Sequence, residues 1–155
     1  MEPPQIRTIA VAIDGSTFGE LALEFAIDLA KKYKAGIRVV TVIPPLIATN
    51  FGAMTYIPQT TWEEQAKPFR EASERAGQSA KSAGVSSVTS EILDGPVVET
   101  LLTYLETHPV DLLVVGSRGL TAGKRLLLGS VSDALVHHAT CPVLVVRVPP
   151  GARSP

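Results

Sequence analysis

The chain has 155 residues, 45% of them hydrophobic and 19% charged, which suits one ordinary domain with its own core and excludes a disordered chain. Lys and Arg number 14 against 15 Asp and Glu, a net charge of −1, so the broad basic surface of a nucleic-acid binder is missing. One cysteine, Cys141, rules out an internal disulfide, and His108, His137 and His138 do not stand at metal-ligand spacing. No apolar run approaches the ~20 residues of a membrane helix and no leader pattern is visible, so the expectation is a soluble cytoplasmic protein without membrane or nucleic-acid partners.

The first predicted element, Ile6–Ile13, is short, β-branched and almost wholly apolar, the pattern of a strand covered on both faces. Ser16 follows as an N-cap. Behind it, Phe18, Leu21, Ala22, Phe25, Leu29 and Tyr33 recur at spacings of three and four and predict a helix with one apolar stripe. Gly36 closes the turn after that helix and opens a second apolar strand over 36–43. From Pro44 to about Thr60 the chain carries three prolines and a glycine and reads as a mobile loop. Residues 62–84 read as a charged, alanine-rich helix that packs on one side only. Residues 86–93 form a weaker, more polar strand, as expected at a sheet edge.

Pro96 fits a first helical position, with Val97, Leu101 and Leu105 continuing the inward stripe. A fourth strand covers 111–116. Ser130 with Asp133 resembles a capping box for a last helix that turns Val131, Ala134 and Leu135 inward, and 142–147 forms a closing strand. The alternation β-α-β-α-β-α-β-α-β predicts a parallel, doubly wound α/β sheet with helices on both faces. Residues 1–148 are read as a single domain and 149–155 as a flexible tail.

In such a sheet, ligands bind beyond the carboxyl ends of the strands. Asp14-Gly15-Ser16 follows the first strand there and Asp94-Gly95-Pro96 the third. The long stretch from Gly116 through Ser117, Arg118 and Gly119 to Gly129 and Ser130 follows the fourth. Glycines bring backbone N–H groups close to an oxyanion, and a helix start at Gly129-Ser130 offers free N–H groups and the positive end of a dipole. Ser117 and Ser130 add hydroxyls; Lys124 and Arg125 add charge. The loop is not a Walker A motif, because Gly123-Lys124 is followed by Arg125. Two plainer readings stay open: the glycines make turns, and Asp14 forms an Asx turn or caps the first helix.

The spacing Gly116, two residues, Gly119, nine residues, Gly129-Ser130 is similar to the ATP-binding signature of the universal stress protein family. The likeness extends over nearly the whole chain, from the strand ending in Asp14-Gly15-Ser16 to Cys141-Pro142-Val143-Leu144-Val145-Val146, and points to the single-domain ATP-binding branch. It implies a five-stranded sheet of order 3-2-1-4-5, with Asp14 and Gly116 facing one cleft. By the same resemblance Asp14 meets the ribose or base and the Val42 backbone meets the adenine edge. Gly116, Ser117, Arg118, Gly119, Gly129, Ser130 and the Val131 backbone surround the phosphates. Mg²⁺ or Mn²⁺ is then held by phosphate oxygens, since no carboxylate cluster is present to cage it.

The function expected is an ATP-binding stress-response switch with at most slow hydrolysis, because no nucleophile–base pair is visible. The alternatives are an AMP- or other adenylate-binding module and a pure protein-interaction module of the same fold. A receiver domain is disfavoured, since only Asp14 and Asp94 match its acidic positions and no lysine follows Val146. The apolar closing strand at a sheet edge, together with the resemblance, implies a homodimer.

Overall fold

A computed structural model describes residues 3–45, 59–119 and 128–148. Most of the 44–60 loop, the segment 120–127 with Lys124 and Arg125, and the 149–155 tail lie outside these residues. Nine elements alternate: β1 (Thr8–Ala12), α1 (Thr17–Tyr33), β2 (Gly36–Ile43), α2 (Gln59–Ser82), β3 (Val88–Asp94), α3 (Val97–Thr107), β4 (Leu112–Gly116), α4 (Ser130–His138) and β5 (Val143–Val146). All pairings are parallel, in the order β3-β2-β1-β4-β5. Strand order therefore reverses between β1 and β4, which opens a crevice beyond their carboxyl ends.

Strand alternation divides the core between the two faces. Ile9, Val11, Ile37 and Val39 pack with α1 and the alanines Ala72, Ala76 and Ala80 of α2. Ala10, Val40, Val42, Leu113 and Val115 pack with Leu101, Tyr104 and Leu105 of α3 and Leu135 of α4. Cys141 lies half-buried at the margin of this second cluster, and burial pushes its thiol pKa up, so it packs as a small apolar side chain.

Three local expectations are corrected. The buried side of α1 is Gly19, Ala22, Leu23, Ala26 and Ala30, whereas Phe25 and Tyr33 are about half exposed. Small residues let the helix lie close to the sheet, and that close approach outweighs the larger apolar stripe beside it. At the end of α1 the left-handed residue is Lys34 (φ 56°), not Gly36, which belongs to β2 and packs against Ser87. Pro96 is the N-cap of α3 and stands one residue before the helix.

Candidate functional site

Ser16 caps α1 as expected, its Oγ accepting the Gly19 N–H at 3.1 Å. Asp14, half-buried just beyond β1, accepts the Ser16 N–H on Oδ1 at 2.9 Å, so the Asx turn is present. Gly15 adopts φ +85°, a conformation glycine takes without a Cβ penalty, and this turn aims the Asp14 carboxylate across the crevice. Opposite it lies Gly119: a Cβ added there would stand 2.9 Å from Asp14 Oδ2. The turn after the first strand and the loop after the fourth therefore share one cleft.

Gly116 answers to packing. A Cβ at this position would lie 2.7 Å from the backbone carbon and oxygen and the Cβ of Phe18, so the end of β4 is pressed against the first turn of α1. The Phe18 ring also carries the Arg118 guanidinium, 5.9 Å from its centroid, at the distance of a cation–π contact. Sequence reading placed Phe18 in a helical stripe and missed this role; its position one residue past the Ser16-Thr17 helix start was the available signal.

The two ends of the long loop are tied together. Ser117, buried, donates its N–H to the Val146 carbonyl at 2.8 Å, and its own carbonyl accepts the Gly129 N–H at 2.8 Å. Ser132 Oγ donates within reach of the carbonyls of Ser117 (3.1 Å) and Gly129 (3.0 Å). The N-cap of α4 is Gly129, with Asp133 N–H bonded to its carbonyl, so the Ser130–Asp133 capping box does not form. Ser130 is the exposed first helical residue, and buried Ser132 holds the helix start instead. The N–H groups of Ser130, Val131 and Ser132 belong to the first turn, where no carbonyl of the helix reaches them. Leu135 turns inward, while Val131 and Ala134 are half-buried.

Val42 occupies the end of β2, 6% exposed. The β1–β2 ladder ends at Ala12↔Val40, extended by the Ile13 N–H to the Val40 carbonyl at 3.0 Å. In a parallel strand alternate residues bond to the same neighbour. The Val42 peptide groups thus point the way those of Val40 do, beyond the paired part of β1 and toward the Asp14 side of the cleft. Among the described residues no group of three His, Cys, Asp or Glu side chains is arranged to hold a metal ion, and no helix is long and apolar enough to cross a membrane.

These features define a class first: a doubly wound parallel α/β domain whose switch-point crevice is walled by an aspartate turn and a glycine-bordered loop feeding a helix N-terminus. The family model of the universal stress protein family matches residues 5–147, and the chain belongs to that family. It is 33% identical over 143 residues to universal stress protein YxiE of Bacillus subtilis, an alignment covering 88% of this chain and 96% of that one. Among solved structures it superposes on universal stress protein UspA from Lactobacillus plantarum with a TM-score of 0.79 at 23% identity, covering 94% of this chain and 100% of the other. A universal stress protein solved in complex with cAMP is 26% identical, with a TM-score of 0.68 and coverage of 93% and 98%.

Proposed function

We propose that the cleft between Asp14 and Gly119 binds an adenine nucleotide, ATP with Mg²⁺ or Mn²⁺, and that the protein works as a nucleotide-dependent switch of the single-domain ATP-binding branch. The observation that carries this reading is the apposition of Gly119 and Asp14 across the strand-order reversal, with the loop's far end pinned at the start of α4. Asp14, at the border of the cleft, would meet a ribose hydroxyl, and the Val42 peptide would offer a donor and an acceptor to the adenine edge. Gly116, Ser117, Arg118 and Gly119 on one side and Gly129, Ser130 and Val131 on the other would hold the phosphates, with helix-terminal N–H groups as donors. The cation would be held on phosphate oxygens. Bound phosphate and metal place charge where they support slow hydrolysis at most, so the nucleotide serves as a signal.

The cAMP complex of a relative supports a second arm, in which a monophosphate is the resident ligand. Titration of the purified protein with Mg-ATP, AMP and cAMP by calorimetry separates the two. Mass spectrometry of nucleotide released by heat identifies what is carried from the cell. Tighter binding of Mg-ATP than of either monophosphate is expected. Binding of none of the three, with no adenylate released, would refute the reading, and a turnover near ~10 per second would refute the switch.

A homodimer through β5 is part of the same proposal. Val143, Leu144 and Val145 are apolar yet only half-buried, and alternation turns the Val143 and Val145 peptide groups away from β4. On α1, Phe25 and Tyr33 are about half exposed and would add apolar area to the contact. Sedimentation of a monomer at micromolar concentration would overturn this part.

A further inference from the structure

The start of the glycine loop is built against the first turn of α1. Gly116 ends β4 so close to Phe18 that an added Cβ would stand 2.7 Å from its backbone carbon, its carbonyl oxygen and its Cβ. Ser117 is fixed on both sides, its N–H on the Val146 carbonyl and its carbonyl on the Gly129 N–H, each at 2.8 Å. A Cβ on Gly129 would lie 3.4 Å from the Arg118 Cα, and one on Gly119 would lie 2.9 Å from Asp14 Oδ2. The Arg118 backbone is thus enclosed between the start of α4 and the Asp14 turn.

From there the Arg118 side chain returns to the residue that Gly116 touches. Its guanidinium lies 5.9 Å from the centroid of the Phe18 ring, inside the ~6 Å limit of a cation–π contact. Both residues are half-buried. Phe18 is the second residue of α1, in the turn that Asp14 and Gly15 lead into, so ring and guanidinium border the cleft on the α1 side. The first turn of a helix repels a cation through the positive end of its dipole. The aromatic face supplies an attraction of similar size, which a leucine could not. Arginine also has one of the largest side-chain entropies. A guanidinium already stacked on a ring has lost much of that freedom before a phosphate arrives.

We infer, on the reading of the cleft as an adenine nucleotide site, that Phe18 is a positioning residue of that site: its ring holds the Arg118 guanidinium in place to meet a nucleotide phosphate. Phe18 acts through Arg118 and not on the ligand. Helix α1 covers one face of the sheet and α4 the other, so the guanidinium and the N–H groups that open α4 address the phosphates from opposite sides of the loop. The contact with Gly116 is made by the Phe18 backbone and Cβ, whereas the contact with Arg118 is made by the ring. Leucine at this position keeps the first and removes the second, which separates packing from positioning.

The test is calorimetric titration of the full chain with Mg-ATP, or with AMP if that is the tighter ligand. Wild type is compared with Phe18→Leu, Phe18→Tyr, Arg118→Gln and the Phe18→Leu/Arg118→Gln double variant. Arg118→Gln should weaken binding about five- to tenfold, through loss of a charge-assisted contact to phosphate. Phe18→Leu should weaken it about two- to fivefold, the size of a cation–π contact. Phe18→Tyr keeps the ring face and should bind within about twofold of wild type. In the Arg118→Gln background Phe18→Leu should have no further effect, because no guanidinium is left to position. Equal losses in both backgrounds, a leucine variant that binds like wild type, or a tyrosine variant as weak as the leucine one would each overturn the role of Phe18. If the leucine variant does not fold, the Arg118 Nε–H resonance of the wild type decides. It should be shifted upfield by the Phe18 ring current and should move when nucleotide is added; an unshifted resonance would overturn the stacking. A wild type that binds no adenine nucleotide overturns the nucleotide reading itself, whereas a wild type that binds one without the pattern above overturns Phe18 alone.

Discussion

Substitution of Gly116 and of Gly119 by alanine gives opposite signatures, because the two glycines meet different kinds of neighbour. At Gly116 the new Cβ stands 2.7 Å from backbone atoms of Phe18, which no rotamer change can move. Relief requires shifting the first turn of α1 off the end of β4, an overpacking cost of about 1–3 kcal/mol. For a domain of this size that lowers Tm by roughly 2–12 °C. At Gly119 the nearest atom, at 2.9 Å, is Oδ2 of Asp14, the end of a side chain that can rotate. Its φ lies outside the left-handed region, so alanine brings no backbone strain there. Rotation sacrifices the Asp14–Ser16 hydrogen bond, worth about 0.5–1.5 kcal/mol, and closes the cleft to a ribose. Differential scanning calorimetry beside calorimetric titration with Mg-ATP reads both quantities. Gly116→Ala is expected to lose the more stability, and Gly119→Ala to lose about tenfold or more in nucleotide affinity for a small change in Tm. A Gly119→Ala protein that melts lower than Gly116→Ala while binding nucleotide normally would refute the assignment of packing to one glycine and ligand access to the other.

Tyr104→Phe removes the hydroxyl that donates to Glu91 and should cost about 1.5–3 kcal/mol in denaturant melts near neutral pH. Burial, with help from Glu91 and against the pull of Arg38, holds the Tyr104 pKa above its usual 10.0. The raised folded-state pKa means the contribution is full below pH ~10 and is lost as pH climbs through the folded value, and the phenylalanine variant should lack that part of the alkaline decline. Ser132→Ala should cost about 1 kcal/mol and speed amide exchange at Gly129, since the Oγ between the two loop ends is gone. Thr41 is fully buried with no hydrogen-bond partner for its Oγ1 among the described residues, so Thr41→Val should raise stability by about 1 kcal/mol, read as a rise of roughly 2–4 °C in Tm. Phe25→Glu with Tyr33→Glu should shift sedimentation toward monomer while leaving the far-ultraviolet circular dichroism unchanged, because both side chains are about half exposed.

Much of the architecture was legible because its signals are strong and local. Apolar runs such as 36–43 carry no competing pattern, and alternation with helical segments leaves few topologies. The sheet order came from resemblance to a family, since residue patterns alone do not say which strands are neighbours. Faces and caps were harder to read. In α1 the large residues at 18, 21, 25, 29 and 33 outshone Gly19, Ala22, Ala26 and Ala30, yet proximity to the sheet selects small side chains, which no count of hydrophobicity registers. At α4 the sequence offered two serines for one cap, and the choice of Ser132 depends on Ser117, 15 residues away. For the candidate site, Gly116 was expected opposite Asp14, whereas Gly119 is the glycine that stands against the Asp14 carboxylate and Gly116 packs on Phe18. The part played by Phe18 against Gly116 arises only from tertiary contact.

The Ser117 N–H reaches the Val146 carbonyl at 2.8 Å, so the first peptide of the glycine loop is also the last rung between β4 and the edge strand β5. If the crevice takes a nucleotide and β5 pairs with a second copy, as proposed, the loop and the edge strand are joined by this bond, and any coupling between the two events is reciprocal. On that proposal, whatever factor a bound nucleotide contributed to subunit association, association would return to nucleotide affinity. The proposed coupling predicts that apparent nucleotide affinity varies with protein concentration.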